Sequence, residues 1–303
     1  MNIKQKNGYS LVEMLVVVII VAVVMNAMMV SFMAGQNSWT KTNNSIQLKE
    51  NLRRTIQRIA KELRESGSDQ NNALKVAISY GQGVSNPAGL YAGGTFNTDI
   101  LDFAMPITCQ SDTVLLDSSG NVKNWGAPLT WGCTDSSCMD PGNSCAVSNQ
   151  RKVEYKIDAN HNLLRRVIEG NGAQVNQTTI AEQLVDFQVG CPEIDQVTFS
   201  DLAMVNGSTT LTSATGGFTA AMGTNHCIIN ITSGTNFIPG CYEIKTYSNA
   251  NTVTFYKTAT KSGNASAGKA TVGGKALVTL HVTAQDDDVI VEECMDINLR
   301  NHQ

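Results

Sequence analysis

Apart from Glu13, Asn26 and Ser31, every side chain from Leu11 to Ala34 is apolar. A run of that length is about the ~20 residues a bilayer crossing needs, and in hydrocarbon its backbone is satisfied within one segment only as a helix. No proline interrupts the chain before Pro87. The pattern therefore predicts one helix from Tyr9 to about Glu65, ~85 Å long at ~1.5 Å per residue. The hydrocarbon core is only ~30 Å thick, so the second half must stand outside it. That half is amphipathic, with Leu48, Leu52, Ile56, Ile59 and Leu63 recurring at helical spacing. A sheet is expected against that stripe, and Ser66-Gly67 supplies a stop.

Glu13 is the residue hardest to reconcile with an ordinary membrane span. A charge inside a bilayer costs roughly 2.5–3.5 kcal/mol on insertion scales, so a chain that keeps one there is expected to have a partner for it. A secretory signal peptide would be cut after its apolar run at small residues and would carry no glutamate. A permanent single-pass anchor fits the length but explains neither Glu13 nor the residues before it. Those residues are a short basic leader with Lys4 and Lys6, then Gly8-Tyr9-Ser10-Leu11-Val12-Glu13, then uninterrupted aliphatics. This arrangement resembles the processing site of type IV prepilins and of the pseudopilins of type II secretion. The resemblance implies a leader of residues 1–8, cut after Gly8 by a dedicated membrane peptidase, with methylation of the new N-terminus at Tyr9. It also implies that Glu13 pairs with the N-terminal amine of a neighbouring subunit. The lysines place the leader on the cytoplasmic side and everything beyond the span, which ends near residue 34, outside.

The formal net charge of −4 does not suggest a nucleic-acid protein overall. Between residues 41 and 65, however, Lys41, Lys49, Arg53, Arg54, Arg58, Lys61 and Arg64 outnumber Glu50, Glu62 and Glu65. This is either a DNA or anionic-lipid surface or a solvated helix face with acidic neighbours; the second is expected. All eight cysteines lie beyond residue 100, as in an exported domain made in an oxidising compartment. Cys109, Cys133, Cys138, Cys145, Cys191, Cys227, Cys241 and Cys294 are candidate disulfide partners, and eight cysteines allow 105 pairings. Cys133, Cys138 and Cys145 lack a C-x2-C pair or a nearby histidine, so disulfides in a polar loop are expected there rather than zinc. Cys227 with Cys241, and Cys191 with Cys294, are the expected pairs around the later strands.

Short β-prone runs occupy Lys75 to Tyr80, Asp99 to Ile107, Lys152 to Ile157 and Leu163 to Ile168, the last two flanking the polar turn at 158–162. Glu182 to Val189 alternates, and Ala276 to Thr283 and Val289 to Leu299 flank Gln285-Asp286-Asp287-Asp288. The stretch Thr55 to Gly67, the run Leu163 to Val167, then Ile180 to Phe187, and the closing Ile297 to Asn301 are similar in order to PilW-type minor pilins and J-type pseudopilins. The expected fold is α+β: a pilin-like long helix (9–66, transmembrane to about 34) on an antiparallel β-sheet head (67–191), closed by strands in 276–303. Residues 192–275 depart from that resemblance. They are rich in Gly, Thr, Ser and Asn, with β-prone islands at Cys227 to Ile231, Cys241 to Tyr247 and Thr252 to Tyr256, and read as an inserted β-rich module.

His161, His226, His281 and His302 are scattered without a nucleophile motif, and no phosphate-cradling glycine loop appears. The chain does not read as an enzyme, and no cofactor is expected. Asp286, Asp287 and Asp288 offer oxygens to calcium, but without a second local acidic cluster an acidic turn is the expectation. By resemblance the partners are a prepilin peptidase, other major and minor pilins through the N-terminal helix, and the inner membrane before assembly. The head would then lie in the periplasm and reach the cell surface in a filament. The function implied is a minor pilin that starts or caps a type IV pilus. Three alternatives stand beside it: a J-type pseudopilin, a tip adhesin or DNA-uptake subunit acting through the inserted module, and an anchored ectodomain that never polymerises.

Overall fold

The computed structural model describes residues 11–64, 66, 76–91, 94–103, 151–169, 174–192, 194–274 and 277–299. Helix α1 spans Leu11–Arg64, 54 residues without a break. The chain divides into two compact units, one ending at Gln47 and the other beginning at Leu48. In the first, all apolar side chains from Leu11 to Ile46 are exposed, and this helix is long and apolar enough to cross a membrane by length and composition. In the second, the expected stripe is buried: Leu48, Leu52, Ile56, Ile59 and Leu63 are each at most 5% exposed. Thr55 joins them because its hydroxyl is satisfied by Asn51 O at 2.8 Å. The Ser66 hydroxyl donates to Leu63 O at 2.6 Å and closes the last turn.

Two antiparallel sheets supply the other side of that core. One holds β1 (Val76–Ser79), β2 (Ile100–Phe103), β3 (Arg151–Ile157), β4 (Leu163–Glu169) and β5 (Gln174–Ala181) in sequence order. The other holds β6 (Leu184–Val189), β13 (Leu277–Asp286) and β14 (Val289–Asn298), with β13 in the middle. Leu101, Phe103, Tyr155, Phe187, Leu280 and Val282 from both sheets join the α1 stripe in one apolar cluster. Polar ties fix α1 on the sheets. Arg165 Nε donates to both Glu62 oxygens at 3.0 and 2.9 Å, and Tyr155 Oη donates to Glu62 Oε2 at 2.8 Å. Nearer β14, Arg53 and Lys49 reach Glu293 at 3.0 and 3.7 Å. Arg54 pairs with Glu50 one turn away. Much of the basic run thus meets acidic neighbours, as expected of a solvated helix face.

Between β6 and β13, which pair with each other, the chain forms a closed six-stranded barrel. Its strands are β7 (Val197–Met204), β8 (Thr210–Ser213), β9 (Ile228–Thr235), β10 (Gly240–Asn249), β11 (Thr252–Phe255) and β12 (Ala265–Val272), with the one-turn helix α2 (Ala220–Thr224) before β9. Closure removes free sheet edges. The barrel has its own apolar core, including Phe199, Leu202, Ile229, Phe237, Ile244 and Phe255. Gly268 is required there: a Cβ would stand 2.6 Å from Phe237 Cε2 and 2.8 Å from Leu202 Cβ. The fold is therefore α+β, a long N-terminal helix followed by an antiparallel sheet head with an additional β-rich barrel.

The disulfides correct the expected pairing. Cys191 bonds Cys227, and Cys241 bonds Cys294. The β9–β10 register explains why Cys227 does not meet Cys241. Cys241 stands opposite Asn230, while the Cys227 carbonyl accepts from Ile244 N, three positions further along the ladder. At ~3.4 Å per residue that offset is about 10 Å, beyond the ~7 Å reach of a disulfide, and an odd offset turns the side chains to opposite faces. Cys294 stands opposite His281, which stands opposite Gln188. Cys191 is thus two strands away from Cys294, at least ~9.5 Å across the sheet. Cys109, Cys133, Cys138 and Cys145 lie outside the described residues.

Candidate functional site

Glu13 lies in the first described turn of α1, with its side chain exposed among Leu11, Val12, Met14 and Leu15. It has no basic residue within reach on its own helix: the first after it is Lys41, roughly 40 Å along the axis at ~1.5 Å per residue. In an apolar medium, then, the helix carries an anion that its own later residues cannot neutralise. What such a cylinder can do chemically is accept a cation brought by another group, and pack by its all-round apolar surface.

Residues 3–25 match the prokaryotic N-terminal methylation motif. The N-terminus is type IV prepilin-like. The matched span contains Gly8, Tyr9 and Glu13; Gly8 and Tyr9 lie outside the described residues. The motif implies processing by a prepilin peptidase and assembly with other pilins, and with the apolar helix it fits membrane anchoring. Among curated proteins, none is detectably similar in sequence.

The acidic turn at Asp286–Asp288 joins β13 to β14, and Asp287 takes a positive φ of 48°. Asp286 Oδ1 accepts from Gln183 Nε2 at 3.0 Å. The two glutamates on the following strand do not complete a calcium site: Glu293 pairs with Arg53, and Glu292 with Lys257. Among the described residues no three His, Cys, Asp or Glu side chains converge as metal ligands.

Sequence reasoning missed a second polar cluster. Asp186, Glu243 and His281 are all buried at the contact between the head and the barrel, and Asp99 is buried beside β6, where it accepts from Val189 N. Their signal was weak, because Asp186 and Gln188 alternate with Val185, Phe187 and Val189 as they would on an ordinary half-exposed strand. The barrel covers that face, and every residue of β6 is buried.

Proposed function

We propose that the chain is a minor pilin, a structural rather than catalytic subunit that starts or caps a type IV filament. The observation that carries this is the methylation motif at residues 3–25 leading directly into α1. The minor role is supported by bulk. A head that carries a complete extra barrel is costly to repeat along a shaft, and at an end it meets fewer neighbours. After cleavage the positive amine of Tyr9 offers the cation that Glu13 lacks on its own helix, so successive subunits are joined by pairing the two charges.

Deleting the gene should reduce filament number severely, while filaments that still form should have normal width. Antibody raised against the barrel should decorate filament ends in the wild type. Uniform decoration along the shaft would contradict the minor role. Normal filaments together with lost protein secretion would favour the J-type pseudopilin instead. A tip-binding role is favoured by one feature: the barrel is tied to the head by Cys191–Cys227 and Cys241–Cys294 in addition to the chain itself. Such ties suit a module that bears load.

A further inference from the structure

The barrel sits on the polar face of the three-stranded sheet. Along β13, Val278, Leu280, Val282 and Ala284 point into the α1 core, so Thr279, His281 and Thr283 point the other way. Asp186 stands opposite Thr283, Gln188 opposite His281, and Glu292 opposite Thr283 from the other side. This face meets β10, the segment after β11, and Tyr91. A cavity of about 10 Å³ remains between them, lined by Tyr91, Asp186, Glu243, Tyr256, Lys257 and His281.

The junction holds more buried acid than cation to balance it. Asp186 is fully buried, and its oxygens accept from Gln188 Nε2 at 2.7 Å and Tyr91 Oη at 3.0 Å. Asp99 accepts from Gly81 N at 2.8 Å and Val189 N at 2.9 Å. Glu243 Oε2 has no hydrogen bond among the described residues, and Oε1 lies 3.3 Å from His226 Nδ1 without hydrogen-bond alignment. Lys257 is committed to Glu292 and lies over the Tyr91 and Tyr242 rings. Lys245 lies over the Tyr256 ring, 5.3 Å from its centre. Neither nitrogen of His281 is hydrogen-bonded among the described residues; they stand 4.0 Å from Asp186 and 3.6 Å from Glu292.

We propose that this junction is a proton-operated latch: Glu243 and Asp99, beside the buried Asp186 carboxyl, carry protons while the barrel is seated, and losing them loosens the barrel against its sheet. The disulfides keep the loosened barrel attached, so the change is a local opening. Burial pushes the Asp99 carboxyl up to about 7, against the pull of its two backbone donors. Burial also raises Asp186, partly offset by His281, and lifts Glu243 well above the usual carboxylate range, with Asp186 and Asp99 adding to it. Burial lowers His226, which disfavours a charge on it beside Glu243. Glu292 goes the other way: despite desolvation, His281 and Lys257 hold it down to about 2, and it stays an anion throughout. Desolvation raises the phenols of Tyr91, Tyr242 and Tyr256, which stay neutral.

For an acid whose folded pKa is raised, the seated state binds more protons than the open one. Its stability is complete below the open-state pKa near ~4 and is lost as pH rises through the folded value. The window for Asp99 runs from there to about 7, and the raised Glu243 acts in the same direction. The test is amide exchange on the full chain in detergent micelles between pH 5.5 and 8.5, corrected for intrinsic exchange rates. Opening at β10 and β13 should increase on the order of tenfold or more, because inside that window each proton released on opening changes the equilibrium about tenfold per pH unit. The β3–β4 hairpin should stay unchanged. Glu243→Gln should remove its own share of that rise and leave the share that Asp99 contributes. Opening that does not depend on pH, or a Glu243→Gln chain with the wild-type slope, would overturn the latch. A second readout needs only the wild type: its infrared spectrum should retain a protonated-carboxyl band at neutral pH, and absence of that band would equally overturn it.

Discussion

Replacing Glu13 with alanine should leave cleavage largely intact and lower the chain's recovery in sheared filaments by roughly two to three orders of magnitude. The size follows from what is left behind. If Glu13 and the Tyr9 amine of a neighbour form a buried pair, deleting one partner strands the other in a low-dielectric medium, at a cost of ~3–5 kcal/mol. Each ~1.4 kcal/mol is a factor of ten in an equilibrium. The distance from Glu13 to Lys41 sharpens the expectation, because no cation further along α1 can take over. Glu13→Gln should behave nearly as badly, since an amide fills the space without supplying the charge. Removing both charges, by Glu13→Gln in a chain whose N-terminal amine is blocked, should cost less than removing one. The readout is the ratio of filament-bound to membrane-bound chain, and a wild-type ratio for Glu13→Ala would contradict the pairing.

Removing the two described disulfides should lower thermal stability by the next largest amount. Cys191–Cys227 closes 36 residues of sequence separation and Cys241–Cys294 closes 53. Loops of that size are each worth about 4 kcal/mol in the chain-entropy account, the upper end of what disulfides usually contribute. For a domain of this size each ~1 kcal/mol moves Tm by about 2–4 °C, so replacing all four cysteines with serine should lower Tm by ~10 °C or more. The barrel and the α1–sheet head have separate apolar clusters, and both disulfides connect barrel strands or loops to the head. The melt should therefore become two-phased rather than simply shift. Non-reducing peptide mapping should recover the 191–227 and 241–294 peptides. A peptide joining Cys227 to Cys241 would contradict the β9–β10 register.

The elements legible in sequence are those whose burial is periodic. The α1 stripe from Leu48 to Leu63 repeats at helical spacing, and it is the stripe that is buried. The β3–β4 hairpin was announced by two apolar runs around the turn at 158–162, where the Asp158 carboxylate accepts from Asn160 N and Asn162 N. β5 was missed because Gln174–Ala181 is polar and mostly exposed, with no alternation to detect. β12 was missed for a different reason: Ala265–Val272 is rich in small residues and its pairing is interrupted by bulges at Gly268. Barrel closure supplies what local propensity does not. The cysteine pairing depended on register, which spacing alone cannot give. The buried acids of the junction were illegible because a strand pattern reports two faces, not what covers each of them. Glu13 stands out in the sequence because a lone charge in an apolar run needs no tertiary information to be noticed.

If the chain is a processed prepilin, its freed amine and Glu13 hold it to its neighbours. Mass analysis of the N-terminal peptide of the membrane-bound protein tests it most directly. The expected peptide begins at Tyr9, carries one methyl group on its amine and lacks residues 1–8. A peptide that still begins at Met1, or a chain that has lost the whole apolar segment through Ala34, would contradict it.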